Sequence, residues 1–207
     1  MWRTSRQRGR KFLLLAGIML LGGCSEPSWQ TKDISGLMSP LEFELTNEQG
    51  ETVSAADYQN RITLLFFGFT HCPDICPTTL ANLASVSNEL EEELEKELEK
   101  ELRDDLRVLF VSVDPDRDDP ETLREYTESF GPEFIGLTGE KAQLETLTRR
   151  YRVTYGYGAK DDAGNYDVSH SSAVFAFNRD GEAQLLMRES DPRDAVLADL
   201  RQLLSTQ

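Results

Sequence analysis

The chain has 207 residues, with 22 Lys and Arg against 37 Asp and Glu and a formal net charge of −15. That length fits one domain with appended ends, and the acidic excess repels phosphate backbones, which excludes a nucleic-acid partner. An apolar share of 39% excludes wholesale disorder, and no apolar run reaches the roughly 18 residues of a conventional membrane span.

The first 23 residues differ from the rest. Arg3, Arg6, Arg8, Arg10 and Lys11 precede an apolar run from Phe12 to Leu21, and the first acidic residue is Glu26. A basic head, a short apolar middle and small residues before a cut make a secretory signal. The ending Leu21-Gly22-Gly23-Cys24 resembles the bacterial lipobox, in which the cysteine is lipidated and becomes the mature N-terminus. We therefore expect a signal over residues 1–23, a lipidated end and tether over 24–39, and one domain over 40–207. Removing five basic residues leaves 17 against 37 acidic ones, a net charge of −20. The signal also puts the remaining Cys72 and Cys76 where disulfides persist.

Along the mature chain, Leu41 to Thr46 alternates apolar and acidic residues and reads as an edge strand, with a turn near Asn47 to Gly50. The dense apolar run from Arg61 to Phe69 reads as a buried central strand. Pro77 then opens a helix with Leu80, Leu83 and Val86 on one face. It continues through a Leu/Glu/Lys-rich stretch near residues 88–105, where Leu recurs every fourth residue and Glu faces Lys at i,i+4. That stripe drifts by roughly 40° per step. It reads as a protruding, solvated extension, with a partner-binding coiled coil as the alternative.

Arg107 to Val113 reads as a second buried strand, ending in an Asp-Pro-rich loop. A helix over Thr122–Phe130, a strand over Phe134–Leu137 and a helix over 140–152 follow. Residues 154–169 read as a loop or hairpin. Ala173–Phe177 and Ala183–Met187 form a hairpin about Asn178–Gly181, and an amphipathic helix over Asp191–Leu204 closes the chain. The order predicts an α/β sheet with helices on both faces.

Cys72 and Cys76 fall where the central strand gives way to a helix. Ligands of open α/β sheets gather at the carboxyl ends of strands, and a helix N-terminus favours thiolates. Redox pairs of the thioredoxin type have two residues between their cysteines; here there are three. In a regular helix that spacing holds the Cβ atoms about 5–6 Å apart, whereas a relaxed disulfide needs about 3.8 Å. A metal with bonds of about 2.3 Å bridges the wider gap. Pro77 is expected to push Cys76 off the helical region, which would let a disulfide close. The spacing permits both states and favours metal. Of the two histidines, His71 adjoins Cys72 but points away from it, and His170 stands just before a strand that can lie beside the cysteine turn.

The segments FGFTHCPDICPTTL, VSVDPDRDDPETL and VSHSSAVF, in that order, resemble the SCO/SenC family over roughly residues 40–205. The resemblance implies a thioredoxin-like fold and one copper ion, Cu(I) or Cu(II), held by Cys72, Cys76 and the distant His170. It puts Asp114 around the site rather than on the metal. It also implies delivery of copper to the dinuclear centre of cytochrome c oxidase subunit II, supply by another copper-delivery protein, and a lipid-anchored domain outside the cytoplasmic membrane, at the inner rather than the outer membrane. The Leu/Glu/Lys-rich stretch is longer than the family pattern.

The leading expectation is thus a copper carrier rather than an enzyme. The alternative is a membrane-tethered thiol-disulfide oxidoreductase using Cys72 and Cys76, which needs neither copper nor His170. A peroxide-reducing enzyme ranks below both, because no motif fixes the arginine it would use. Asp114 could instead cap the helix near Pro120, and Tyr155 and Tyr157 could serve a partner surface or simple packing.

Overall fold

The computed structural model describes residues 28–98 and 105–205. The expected signal, Cys24 and the far end of the Leu/Glu/Lys-rich stretch lie outside the described residues. The strands are β1 (Lys32–Asp33), β2 (Glu44–Asn47), β3 (Thr52–Ser54), β4 (Ile62–Gly68), β5 (Leu106–Ser112), β6 (Phe134–Thr138), β7 (Tyr155–Tyr157), β8 (Val168–His170), β9 (Val174–Phe177) and β10 (Ala183–Met187). The helices are α1 (Ile75–Leu98), α2 (Pro120–Thr127), α3 (Lys141–Arg150) and α4 (Arg193–Ser205). Eight strands form one sheet in the order β1-β10-β9-β4-β5-β6-β2-β3, and β7 pairs with β8 apart from it. The strands β4, β5 and β6 are parallel, and β9 runs antiparallel to β4.

All of β4 is buried, because side chains on alternate residues point to opposite faces and both faces are covered. Ile62, Leu64 and Phe66 join α1 and α4 in one core layer. Leu65 and Phe67 join Leu144, Leu147 and Tyr151 in the other, around α3. This is the α/β sheet that the order of elements predicts and the thioredoxin-like arrangement that the resemblance implies. Gly181 supplies the positive φ of the hairpin turn, and Asn178 Oδ1 accepts from the amides of Asp180 and Glu182.

Four expectations are corrected. Residues 28–39 are not free tether. Trp29 packs on the core, Ile34 is buried, and β1 pairs with β10. The buried Asp199 carboxylate accepts the amides of Gln30 and Thr31 and the Thr31 hydroxyl at 2.7–2.9 Å, an anchor that only a folded chain provides. Second, β2 is not an edge strand: it lies between β6 and β3, because Leu45 fills a core position and a short strand over Thr52–Ser54 returns beside it. Third, the start of the Leu/Glu/Lys-rich stretch does not protrude. Leu90 is buried, and Glu89 and Glu93 pair with Arg193 and Arg201 of α4 at 2.7 and 2.6 Å. Fourth, Cys76 is helical despite Pro77. The first amides of a helix have no intrahelical partner, so proline there removes no bond. The ladder closes after it, with the Thr78 amide on the Asp74 carbonyl at 3.2 Å.

Candidate metal centre

The centre forms at the carboxyl end of β4. Gly68, its last residue, leaves the space that the site occupies. A Cβ there would stand 2.6 Å from both Cys76 Sγ and Phe110 Cε2, so any larger residue would displace the sulfur. The chain turns through Thr70 and Cys72 into α1, whose second residue is Cys76. The Cys76 amide donates to Cys72 Sγ at 3.4 Å, which turns one unpaired donor of the helix start toward the thiol. Both cysteines are free; Cys76 is fully buried and Cys72 half-buried. Burial pushes the Cys76 thiol well above its ordinary range.

His170 arrives on the separate hairpin β7–β8, opposite Tyr155. Its Nε2 lies 3.2 Å from Cys76 Sγ and 3.8 Å from Cys72 Sγ. Its Nδ1 lies 3.0 Å from the Ser171 carbonyl. A carbonyl only accepts, so Nδ1 carries the proton and Nε2 turns its lone pair to the sulfurs. Phe66 and Phe69 meet the ring edge-on at 6.1 and 5.7 Å. The three ligand atoms all lie within 4.8 Å of one another. Bonds of about 2.3 Å to sulfur and 2.0 Å to nitrogen fit one ion among them.

Two aspartates of the loop after β5 brace this arrangement, one on the cysteine turn and one on the hairpin. Asp118 is fully buried. Its carboxylate accepts the Thr70 amide at 2.9 Å, the Thr70 hydroxyl at 2.6 Å and the Ser112 hydroxyl at 2.6 Å, which fixes the turn that carries Cys72. Asp114, also fully buried, accepts the Tyr166 hydroxyl at 2.6 Å and pairs with Arg117. Arg117 stacks 3.9 Å over the Tyr166 ring and donates to the Tyr166 carbonyl at 3.2 Å. The Tyr157 hydroxyl donates to the Val113 carbonyl at 2.5 Å. Asp114 and its partners therefore hold the hairpin that presents His170.

The structure thus brings Cys72, Cys76 and His170 together and sets Asp114 behind the hairpin. Asp114 caps no helix: Asp119 does, accepting the Thr122 amide at 2.8 Å. His71 turns its exposed ring toward Thr70 and Asp118, away from the sulfurs. Sequence reasoning missed Asp118, although it is the last acid of Asp114-Pro115-Asp116-Arg117-Asp118. It also missed Tyr166, for which a Tyr/Gly/Asp-rich loop gives no signal.

The SCO1/SenC family model matches residues 36–205. The chain belongs to the SCO1/SenC family. The human mitochondrial SCO2 homologue is 39% identical over 140 residues, which cover 68% of this chain and 50% of that protein. An SCO2-like protein of Rickettsia prowazekii is 35% identical over 140 residues, covering 67% of this chain and 64% of that one. The chain thus spans about half the length of its human SCO relative. Among solved structures, Bradyrhizobium japonicum ScoI with copper bound superposes with a TM-score of 0.67 at 32% identity, covering 79% of this chain and 98% of that chain.

Proposed function

We propose that this SCO-family protein binds one copper ion through Cys72, Cys76 and His170 and serves the assembly of cytochrome c oxidase. The observation that carries the reading is the convergence of two thiols and an oriented imidazole nitrogen within 4.8 Å. Two thiolates suit Cu(I), and two sulfurs with one imidazole also suit Cu(II). A structural zinc site normally takes four ligands, and three His, Cys, Asp or Glu side chains converge here among the described residues. Copper-bound relatives such as the Bradyrhizobium protein support the choice of metal.

Loading displaces the thiol protons, which the buried Cys76 holds tightly in the metal-free protein. The start of α1 and the Cys76 amide stabilise the charge that results. Copper enters and leaves on the Cys72 side, because Cys76 is covered. His170 supplies a neutral ligand on an arm with its own two-stranded sheet, so a receiving protein can replace it without disturbing the helix. The client is the dinuclear copper centre of subunit II, copper comes from another copper-delivery protein, and lipidation at Cys24 tethers the domain outside the cytoplasmic membrane of a bacterium. No helix of the described residues is long and apolar enough to cross a membrane.

The thiol-disulfide oxidoreductase is the second reading. An imidazole nitrogen 3.2 Å from the buried sulfur is what a copper carrier needs and a dithiol reductase does not. The test is in the cell. Deleting the gene should lower the copper content and activity of cytochrome c oxidase, and wild type but not Cys76→Ala should restore both. Full restoration by Cys76→Ala would remove the copper-carrier reading.

A further inference from the structure

Phe69 joins the two halves of the centre. It is the first residue after β4, and its carbonyl accepts the Cys72 amide at 3.2 Å. Its backbone therefore belongs to the turn that carries Cys72. Its side chain, buried at 4% exposure, meets the His170 ring at 5.7 Å between centroids and 88° between planes. That is the edge-to-face geometry aromatic pairs prefer. Phe66 stands against the same imidazole at 6.1 Å and 69°. The Arg117 guanidinium lies 5.7 Å over the Phe69 ring, and Asp114 pairs with Arg117. The Phe69 ring is thus held between Arg117 and His170. The bond from His170 Nδ1 to the Ser171 carbonyl fixes one point of the imidazole. Histidine χ2 is a soft torsion, so the plane of the ring is set by what packs against it.

We propose that Phe69 is a positioning residue for copper, its ring fixing the plane of the His170 imidazole so that Nε2 is aimed at the two sulfurs. Nε2 stands 3.2 Å from Cys76 Sγ and 3.8 Å from Cys72 Sγ, and a tilt of the ring about Nδ1 moves it off both. A ring held in place loses less freedom when it ligates a metal. Leucine is apolar but has no flat ring to form the edge-to-face pair, so the imidazole gains room to tilt. The effect passes through His170; the sulfurs keep the space beside Gly68 and the turn held by Asp118. The inference rests on the copper reading above.

The test is a double-mutant cycle in the full chain: wild type, Phe69→Leu, His170→Ala and the pair together. Copper(I) affinity is read by chelator competition, and the His170 ring nitrogens of the metal-free protein by nitrogen-15 NMR. Phe69→Leu should lower affinity by roughly 3- to 10-fold, the factor one aromatic pair is worth, and should not lower it further when His170 is already alanine. The ring-nitrogen signals should move from a single Nδ1–H tautomer toward the average of the two. If Phe69→Leu does not fold, Phe69→Met, which fills gaps flexibly, takes its place in the cycle. Unchanged affinity and unchanged ring signals would overturn the proposal. An equal loss with and without His170 would also overturn it, because Phe69 would then act through the sulfurs or the fold. If wild type itself takes up no copper, the copper reading fails and this inference goes with it. If wild type binds and Phe69→Leu binds equally, only this inference fails.

Discussion

Cys76 Sγ and His170 Nε2 stand 3.2 Å apart across 94 positions of sequence. One belongs to a helix start at the end of the central strand, and the other to a hairpin outside the main sheet. Each is held by its own aspartate. Asp118 fixes the cysteine turn through Thr70, and Asp114 fixes the hairpin through Tyr166 and Arg117. The two aspartates lie on one loop, so that loop sets the distance between the sulfur and nitrogen ligands.

Replacing Asp118 with Ala should therefore harm both stability and the site. It strands the Thr70 amide and the Ser112 hydroxyl and leaves the Thr70 hydroxyl with His71 Nδ1 as its remaining partner. At about 1–3 kcal/mol per buried unpaired group, with partial relaxation, the loss should be roughly 3 kcal/mol. That lowers the melting temperature by ~10 °C. Thermal unfolding of the metal-free variant checks it, and an unchanged melting temperature would show that Asp118 does not hold the turn.

The cysteines should differ in reactivity. Cys72 is half-buried, whereas Cys76 is fully buried and its thiol is pushed well up by desolvation. Limited iodoacetamide labelling of the reduced, metal-free protein, followed by peptide mass spectrometry, should find Cys72 modified first. Copper should protect both residues. Labelling of Cys76 first would mean that the covered sulfur is the accessible one.

Glu133, 7% exposed, gives a pH dependence remote from the metal centre. Burial, ahead of smaller opposing contributions from hydrogen bonds, raises its carboxyl above the ordinary value. The folded state therefore holds this proton to a higher pH than the unfolded chain does. The stability linked to the proton is present below the unfolded pKa and is lost as pH rises through the folded one. Glu133→Gln should thus gain on wild type between pH 4 and pH 8. Urea unfolding at both values measures this, and an equal difference at the two would contradict it.

The sheet was legible because Ile62–Gly68 and Leu106–Ser112 are dense apolar runs and the helices carry apolar stripes. The cysteine pair was legible from its spacing at a strand-to-helix junction. Of the two histidines, position before a strand and likeness to the family pointed to His170. Other features depend on tertiary partners and leave no local pattern. Lys32–Asp33 is a two-residue, exposed strand with no periodicity, and only its pairing with β10 defines it. Asp118 and Tyr166 look like ordinary loop residues until the chain has folded around Thr70 and Asp114.

The most direct measurement is an anaerobic copper titration of the reduced protein and its Cys72→Ala and His170→Ala variants, with a Cu(I) chelator as competitor. The account predicts one tight copper per chain. Loss of the His170 ligand should weaken it by more than the roughly 10- to 100-fold that outer partners of a metal site are worth, and Cys72→Ala should abolish tight binding. Wild-type affinity in His170→Ala, or a freely cycling Cys72–Cys76 disulfide with no specific copper, would contradict the three-ligand centre.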